Sequence, residues 1–460
     1  MERSPLAETS GFAAIAGGLG CTAALPDALA GLAHRYGGQL ATAVIAGREI
    51  EYRCHQGCVC DARGAMGSPT MQAARGLLAV GSPGVPVRGR SPIARGLVAE
   101  QAVAVCLTGC VHNGPALRQA LVERGALVGD GGQAELLLHL MAQSRQRTLV
   151  NRLVEGIERI VGGFSLALIT DELAVVARDP RGFRPLWIGA RVDGHVAASD
   201  ASALRSLGAD EVRELAAGEV VLLEPGAPAR SLRPWGVFPR AACALEWLSF
   251  APVGASFEGL SVHPVRHRLG RALAASSPAQ TDLVLALPGA CATAALAFAQ
   301  QAGQPFEIAF DPSQQSQGGC GPHELRAMPA VVRGERCTLV FAPDTPMDLL
   351  RGAVRGLRDA GARMVHLRCF GPLQASECLY GMSLPTPAIA AGVGAEPLAL
   401  QGWLQADSLE AASLEQLTTA LGRESTGSCM LCLGGHAPLL ARDAVATPQL
   451  PLFGGDGSGA

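Results

Sequence analysis

Apolar positions in the first half of the chain come in short alternating bursts. Residues 11–17 (GFAAIAG) read as a buried strand, with a helix over 26–35 and a strand over 41–46. Residues 103–111 (VAVCLTGCV) alternate as a strand does, while 115–125, 133–143 and 148–161 carry helical spacing. GFSLALIT at 163–170 and LAVVARD at 173–179 predict a hairpin. Mixed strands and helices without regular alternation predict a layered α/β/β/α sandwich. From residue 239 the rhythm changes. Helices over 260–275, 291–303 and 347–361 interleave with strands over 284–288, 337–343 and 363–370. That alternation predicts a parallel sheet. The chain is therefore of the α/β class, with domains over 10–238 and 239–444. A Pro/Gly-rich tail, 445–460, is predicted to be disordered.

Composition narrows the function classes. With 460 residues, 48% of them apolar, the chain can build more than one core. A net charge of −3 gives no basis for a nucleic-acid partner. All 37 basic residues are Arg. That excludes lysine Schiff-base chemistry and leaves forked, permanently charged donors for anions. The lack of lysine reads first as genome composition. No apolar run predicts a membrane span, and MERSPLAETS lacks the regions of a signal peptide, so a cytoplasmic protein is expected. Fourteen cysteines in that compartment point to metal or buried thiols rather than disulfides.

Four of those cysteines are candidate metal ligands: Cys243 in ACALEWLSFA, Cys378 in SECLYGM, and Cys429 and Cys432 in GSCMLCLGG. C-x-x-C by itself serves zinc and redox sites as well. Around them lie RDPRGFRPLWIG at 178–189 and LEWLSFAPVGASFEGLSVHPVRHRLGRALA at 245–274. HNG at 112–114 and AELLLHL at 134–140 add to the pattern. Together these stretches resemble the amidophosphoribosyltransferases (glutamine phosphoribosylpyrophosphate amidotransferases) over residues 9–436. The resemblance implies an N-terminal-nucleophile glutaminase-like domain followed by a phosphoribosyltransferase-like domain. It also implies that the four cysteines hold a 4Fe–4S cluster, with zinc as the alternative metal. Partners expected by analogy are further copies of this chain or an active paralogue.

Within the first domain, the family's N-terminal nucleophile is a cysteine whose own α-amine serves as base. The matching residue is Ser10, preceded by nine residues of propeptide length. A hydroxyl is far less ionised than a thiol at neutral pH. Asn113 and Gly114 match the oxyanion-hole pair. Arg88 in VPVRGRS matches the residue that binds the glutamine carboxylate, through its Val-Arg core alone. Gln133 stands where the family has an Asp for the substrate ammonium, which removes the pairing charge. His112 reads as a satisfied core histidine. Arg178, Asp179, Arg181 and Arg184 read as the turn that holds the first domain together. Cys54-His55-x-x-Cys58-x-Cys60, with Cys106 and Cys110, lies outside the family pattern; buried small hydrophobes and a second metal site are the two readings.

The second domain departs further. The family's ribose-phosphate loop, V-D-D-S-I-V-R-G-T-T, aligns with Val340-Phe341-Ala342-Pro343-Asp344-Thr345-Pro346-Met347-Asp348-Leu349. Both acidic positions are apolar, and Pro343 and Pro346 lack the N–H donors of a phosphate cradle. The pyrophosphate loop has become Pro288-Gly289-Ala290-Cys291-Ala292-Thr293, and the flap between FEIAF and DPSQ is missing. The expectation is a family member that keeps its scaffold and metal site but not its chemistry. The alternatives are a working amidotransferase using Ser10, on the family's acceptor or another, or a cluster-dependent enzyme with a different ligand in the cleft.

Overall fold

A computed structural model describes residues 9–17, 21–28, 32, 39–56, 75–81, 93–129, 132–310, 325–373, 376, 378, 380, 397–422 and 427–435. The alternating bursts of the first half become two sheets. One runs β3 (Glu49–Gln56), β2 (Gln39–Ala46), β4 (Arg75–Gly81), β1 (Thr9–Gly17), β10 (Gly194–Ala198), β9 (Trp187–Arg191) and β11 (Asp210–Glu214), antiparallel throughout. The other runs β5 (Ala94–Val98), β6 (Gln101–Val111), β7 (Gly162–Ile169), β8 (Ala174–Arg178), β12 (Val220–Leu223) and β13 (Arg230–Leu232). A parallel bridge from Thr9 to Thr108 joins them.

Side-chain alternation builds the layers. Phe12, Ala14 and Ala16 of β1 meet Ala104, Cys106, Ala167 and Val176 between the sheets. Val103, Val105 and Leu107 face the other way, onto helices α1 (Gly114–Glu123), α2 (Gln133–Gln143) and α3 (Leu149–Glu158). Ala13, Ile15 and Val196 pack outward against Leu25, Ala203 and Leu204. The four layers are those of an α/β/β/α sandwich. α3 starts where Thr148 caps the amide of Asn151, and its buried Leu153, Val154 and Ile157 follow helical spacing. Of the helix predicted over 26–35, Ala28 and Leu32 are helical, while Pro26 and Asp27 still belong to a 3₁₀ turn, Cys21–Asp27, where Pro26 lacks the N–H of a regular helix.

The second half holds a parallel sheet in the order β18 (Phe306–Glu307), β17 (Leu283–Ala286), β19 (Arg336–Phe341), β20 (Met364–Cys369) and β21 (Ser408–Ala411). β17 and most of β19 are apolar runs because both faces are covered, while β20 carries His366 and Arg368 within the sheet. Helices α4 (Val262–Ser276), α5 (Ala292–Ala302), α6 (Met347–Asp359) and α7 (Leu414–Leu421) pack on them. α7 opens with a capping box between Ser413 and Gln416. Among the described residues, no helix is long and apolar enough to cross a membrane. Residues 445–460, predicted to be disordered, lie outside the described residues.

Candidate functional site

Two short strands bring the candidate metal ligands together. β14 (Ala242–Cys243) runs parallel to β22 (Ser428–Cys429), with Cys243 directly beside Cys429. Cys432 follows in a 3₁₀ turn closed by Gly434 at a left-handed φ of 82°. The Cys378 segment is tied to that turn, since Ser376 N–H donates to the Cys432 carbonyl at 3.3 Å. The Tyr380 amide donates to Cys378 Sγ at 3.4 Å. All four thiols line one narrow cavity, shared with Phe183, Arg184, Tyr380 and Leu431.

The electrostatics of this cavity fit a soft cation. Burial pushes the Cys243 thiol up to about 12, and it raises Cys429 and Cys432 as well. Each of these thiols is raised further by others of the four, so they sit close enough to feel one another. Such thiols stay protonated until a metal stabilises the thiolate. Three buried thiols and a half-buried fourth, with no hard oxygen ligand among the described residues that line the cavity, suit zinc or an iron–sulfur cluster. Among the described residues, no three His, Cys, Asp or Glu side chains are already drawn into a closed metal-binding group.

One wall of the cavity comes from the first half of the chain. Phe183 stacks on Tyr380 at 4.6 Å, and the Cys243 amide donates to the Phe183 carbonyl at 3.2 Å. Arg184 Nη1 lies 3.3 Å from Glu246 Oε1, both side chains almost fully buried. Arg178 bridges Glu214 at 2.9 Å and Glu258 at 2.8 Å. Asp179 accepts from the amides of Arg181 and Phe183, each at 2.9 Å, and burial pushes its carboxyl up to about 6. The 178–184 turn, expected mainly to hold the first domain together, also ties the two halves to each other. Its Arg side chains gave that reach no signal in the sequence, because Glu246 and Glu258 lie more than sixty positions away.

The candidate catalytic residues of the first half are more scattered. Ser10 lies within β1, and Thr9 before it is already paired with Thr108 and Gly81, so the chain runs through this point as sheet. Asn113 donates its amide to the Arg159 carbonyl at 2.8 Å and accepts from the Val161 amide at 2.9 Å. That side chain ties the β6–α1 turn to the end of α3, and Gly114 opens α1. Gln133 is buried and accepts from the Val111 amide at 2.5 Å. His112 is exposed rather than buried, because the turn leaving β6 directs it out of the core. Arg88, Cys58 and Cys60 lie outside the described residues, and Cys54 lies in β3. Cys106 is fully buried between the sheets, where burial raises its thiol.

At the carboxyl end of the parallel sheet, polar groups are paired internally. Phe341 and Ala342 are buried. Asp344 is half-buried and accepts a hydrogen bond from Ser249 Oγ, while desolvation raises its carboxyl above the usual range. Ser249 sits on a π-helical turn, Glu246–Phe250. Arg266 donates to the carbonyls of Trp247 at 2.9 Å and Ala251 at 2.7 Å, and burial lowers its guanidinium to about 10. Cys291 is buried at the start of α5, and that burial pushes its thiol up to about 12.

Comparison with known proteins adds to this geometry. A family model described as a glutamine amidotransferase domain matches residues 83–206. Amidophosphoribosyltransferase 1, chloroplastic, of Arabidopsis thaliana is 31% identical over 349 residues, which is 72% of this chain but only 61% of that protein. The amidophosphoribosyltransferase of Bacillus subtilis is 29% identical over 353 residues, 73% of this chain and 74% of that one. Among solved structures, the glutamine phosphoribosylpyrophosphate amidotransferase of B. subtilis, complexed with ADP and GMP, superposes with a TM-score of 0.81. It shares 25% identity, over 93% of this chain and 97% of that one.

Proposed function

We propose that this chain is an amidophosphoribosyltransferase homologue that has lost phosphoribosyl transfer and glutamine hydrolysis, a reading its likeness to those enzymes supports. It keeps a glutaminase-like body over 10–238 and a phosphoribosyltransferase-like body over 239–444, and works as a scaffold, regulatory or sensor protein. The observation that carries this reading is Asp344. The one acidic side chain in the turn after β19 is turned inward and held by Ser249, and the buried Phe341 and Ala342 stand at the family's acidic positions. A loop built this way offers neither carboxylates for ribose hydroxyls nor a run of free amides for a phosphate. In the first half, the Asn113 amide is already engaged by a backbone carbonyl, which weakens the oxyanion pair.

In this reading Cys243, Cys378, Cys429 and Cys432 hold a 4Fe–4S cluster. When bound, the cluster supplies a crosslink and a one-electron couple. The protein's own part is to exclude water with Phe183, Tyr380 and Leu431 and to fix two thiols side by side on β14 and β22. Its partners are a second copy of the chain or an active paralogue. The deciding assay is ammonia-dependent formation of phosphoribosylamine from phosphoribosyl pyrophosphate, with protein purified without oxygen. Free ammonia bypasses the glutaminase half. No turnover by folded, iron-loaded protein is the expected result; turnover would establish a working transferase and overturn the proposal.

A further inference from the structure

Among the described residues, the thiol cavity has one charged residue in its lining, Arg184, and that residue comes from the opposite half of the chain. Its side chain is 6% exposed, and its partner Glu246 is 0% exposed. The thiols of Cys243 and Cys429 both feel its positive charge. Four thiolates around a divalent ion or a cubane core leave a net charge of about −2. Burying such a centre is costly unless a counter-charge lies nearby. A guanidinium suits that role because it cannot lose its proton, and this chain has no lysine to substitute for it.

We propose that Arg184, oriented by Glu246, is the counter-charge of the cluster and sets its reduction potential. This rests on the cluster reading given above. On reduction the cluster gains one electron from an external donor such as dithionite, and no bond forms or breaks. The reduced state carries one more negative charge, so the guanidinium favours it and draws the potential upward. Glu246, behind the guanidinium, opposes that effect. Through this pair the first half of the chain acts on the redox poise of a centre whose ligands all lie in the second.

The test uses the full chain, purified anaerobically, as wild type, Arg184→Gln, Arg184→Lys, Glu246→Gln and the double variant Arg184→Gln/Glu246→Gln. Iron and sulfide are measured first. Wild type without iron, or with zinc alone, overturns the cluster reading and this inference with it. With iron present, midpoint potentials decide the role of Arg184 separately. Arg184→Gln should shift the potential negative by at least about 59 mV, a tenfold change for a one-electron couple. Arg184→Lys should restore most of that shift, and Glu246→Gln should move the potential positive. If Arg184→Gln does not fold, Glu246→Gln and the double variant, which buries no lone charge, still read the effect. Unchanged potentials in the iron-loaded variants would sink the counter-charge role while leaving the cluster intact.

Discussion

The four-thiol cavity and the carboxyl end of the parallel sheet both form where loops from distant parts of the chain converge. They treat their polar groups in opposite ways. In the cleft, Asp344 is matched to Ser249 and Arg266 to two carbonyls. In the cavity, four thiols, three of them buried, face one space without completing a coordination shell among themselves. A site whose donors and acceptors satisfy one another has little left to offer a ligand. Thiols gathered around one space are the donor type that a soft cation takes. The two are neighbours in the fold, and Glu246 and Ser249 of a single π-helical turn contact one each.

The contrast can be broken or sharpened by measurement. The largest effect is expected at the cavity. Cys432→Ser should abolish iron binding and cost at least about 4 kcal/mol, the scale of losing a structural metal. Hydrogen exchange should then rise around 241–245 and 428–433 and stay unchanged at the ends of β17 and β19. Equal deprotection at both places would erase the distinction. Next comes the junction that supplies the cavity wall. Arg178→Met strands Glu214 and Glu258 without their shared partner, and a loss of about 3–5 kcal/mol is expected in denaturant titrations.

A third effect concerns pH. Asp179 has its folded pKa raised to about 6 by burial, so the folded chain binds this proton more tightly than the unfolded one. Its contribution is fully present below the unfolded value of roughly 3.9 and is lost as pH rises to about 6. Asp179→Asn should remove roughly 2–3 kcal/mol of that slope, measured as the difference between the two stability curves over this window. Parallel curves would show that the carboxyl is not held protonated. The smallest effect belongs to the closed cleft, where Ser249→Ala should cost about 1–3 kcal/mol by leaving Asp344 without its hydroxyl donor. A gain of phosphoribosyl pyrophosphate binding in that variant would show that the internal pair, rather than loss of the loop's chemistry, keeps the cleft shut.

Legibility from sequence followed local periodicity. The long apolar runs of β6, β7 and β19 were readable because their burial repeats every second residue or is continuous. The strands between 187 and 232 gave no such signal: β9, β11 and β13 are short and partly exposed, and sheet neighbours rather than pattern hold them. At the candidate sites, residue type was readable and engagement was not. Asn113 could be picked out as a donor, but its bond to Arg159, forty-six positions away, could not. His112 was misread as a core residue because a single position at the end of a strand carries no periodicity.

By itself, then, the sequence determined the order of the two bodies and the apolar character of the 340–349 loop, and resemblance to a family picked out four candidate thiols. The first two follow from spacing and side-chain chemistry, which are local. Only the tertiary structure decided that Cys243 and Cys429 lie side by side, that Arg184 reaches the thiols from the other half, and that Asp344 turns inward to Ser249. Each of these pairs residues far apart in the chain. Their meeting is fixed by how the sandwich and the parallel sheet bury their faces against each other, and no local pattern encodes it.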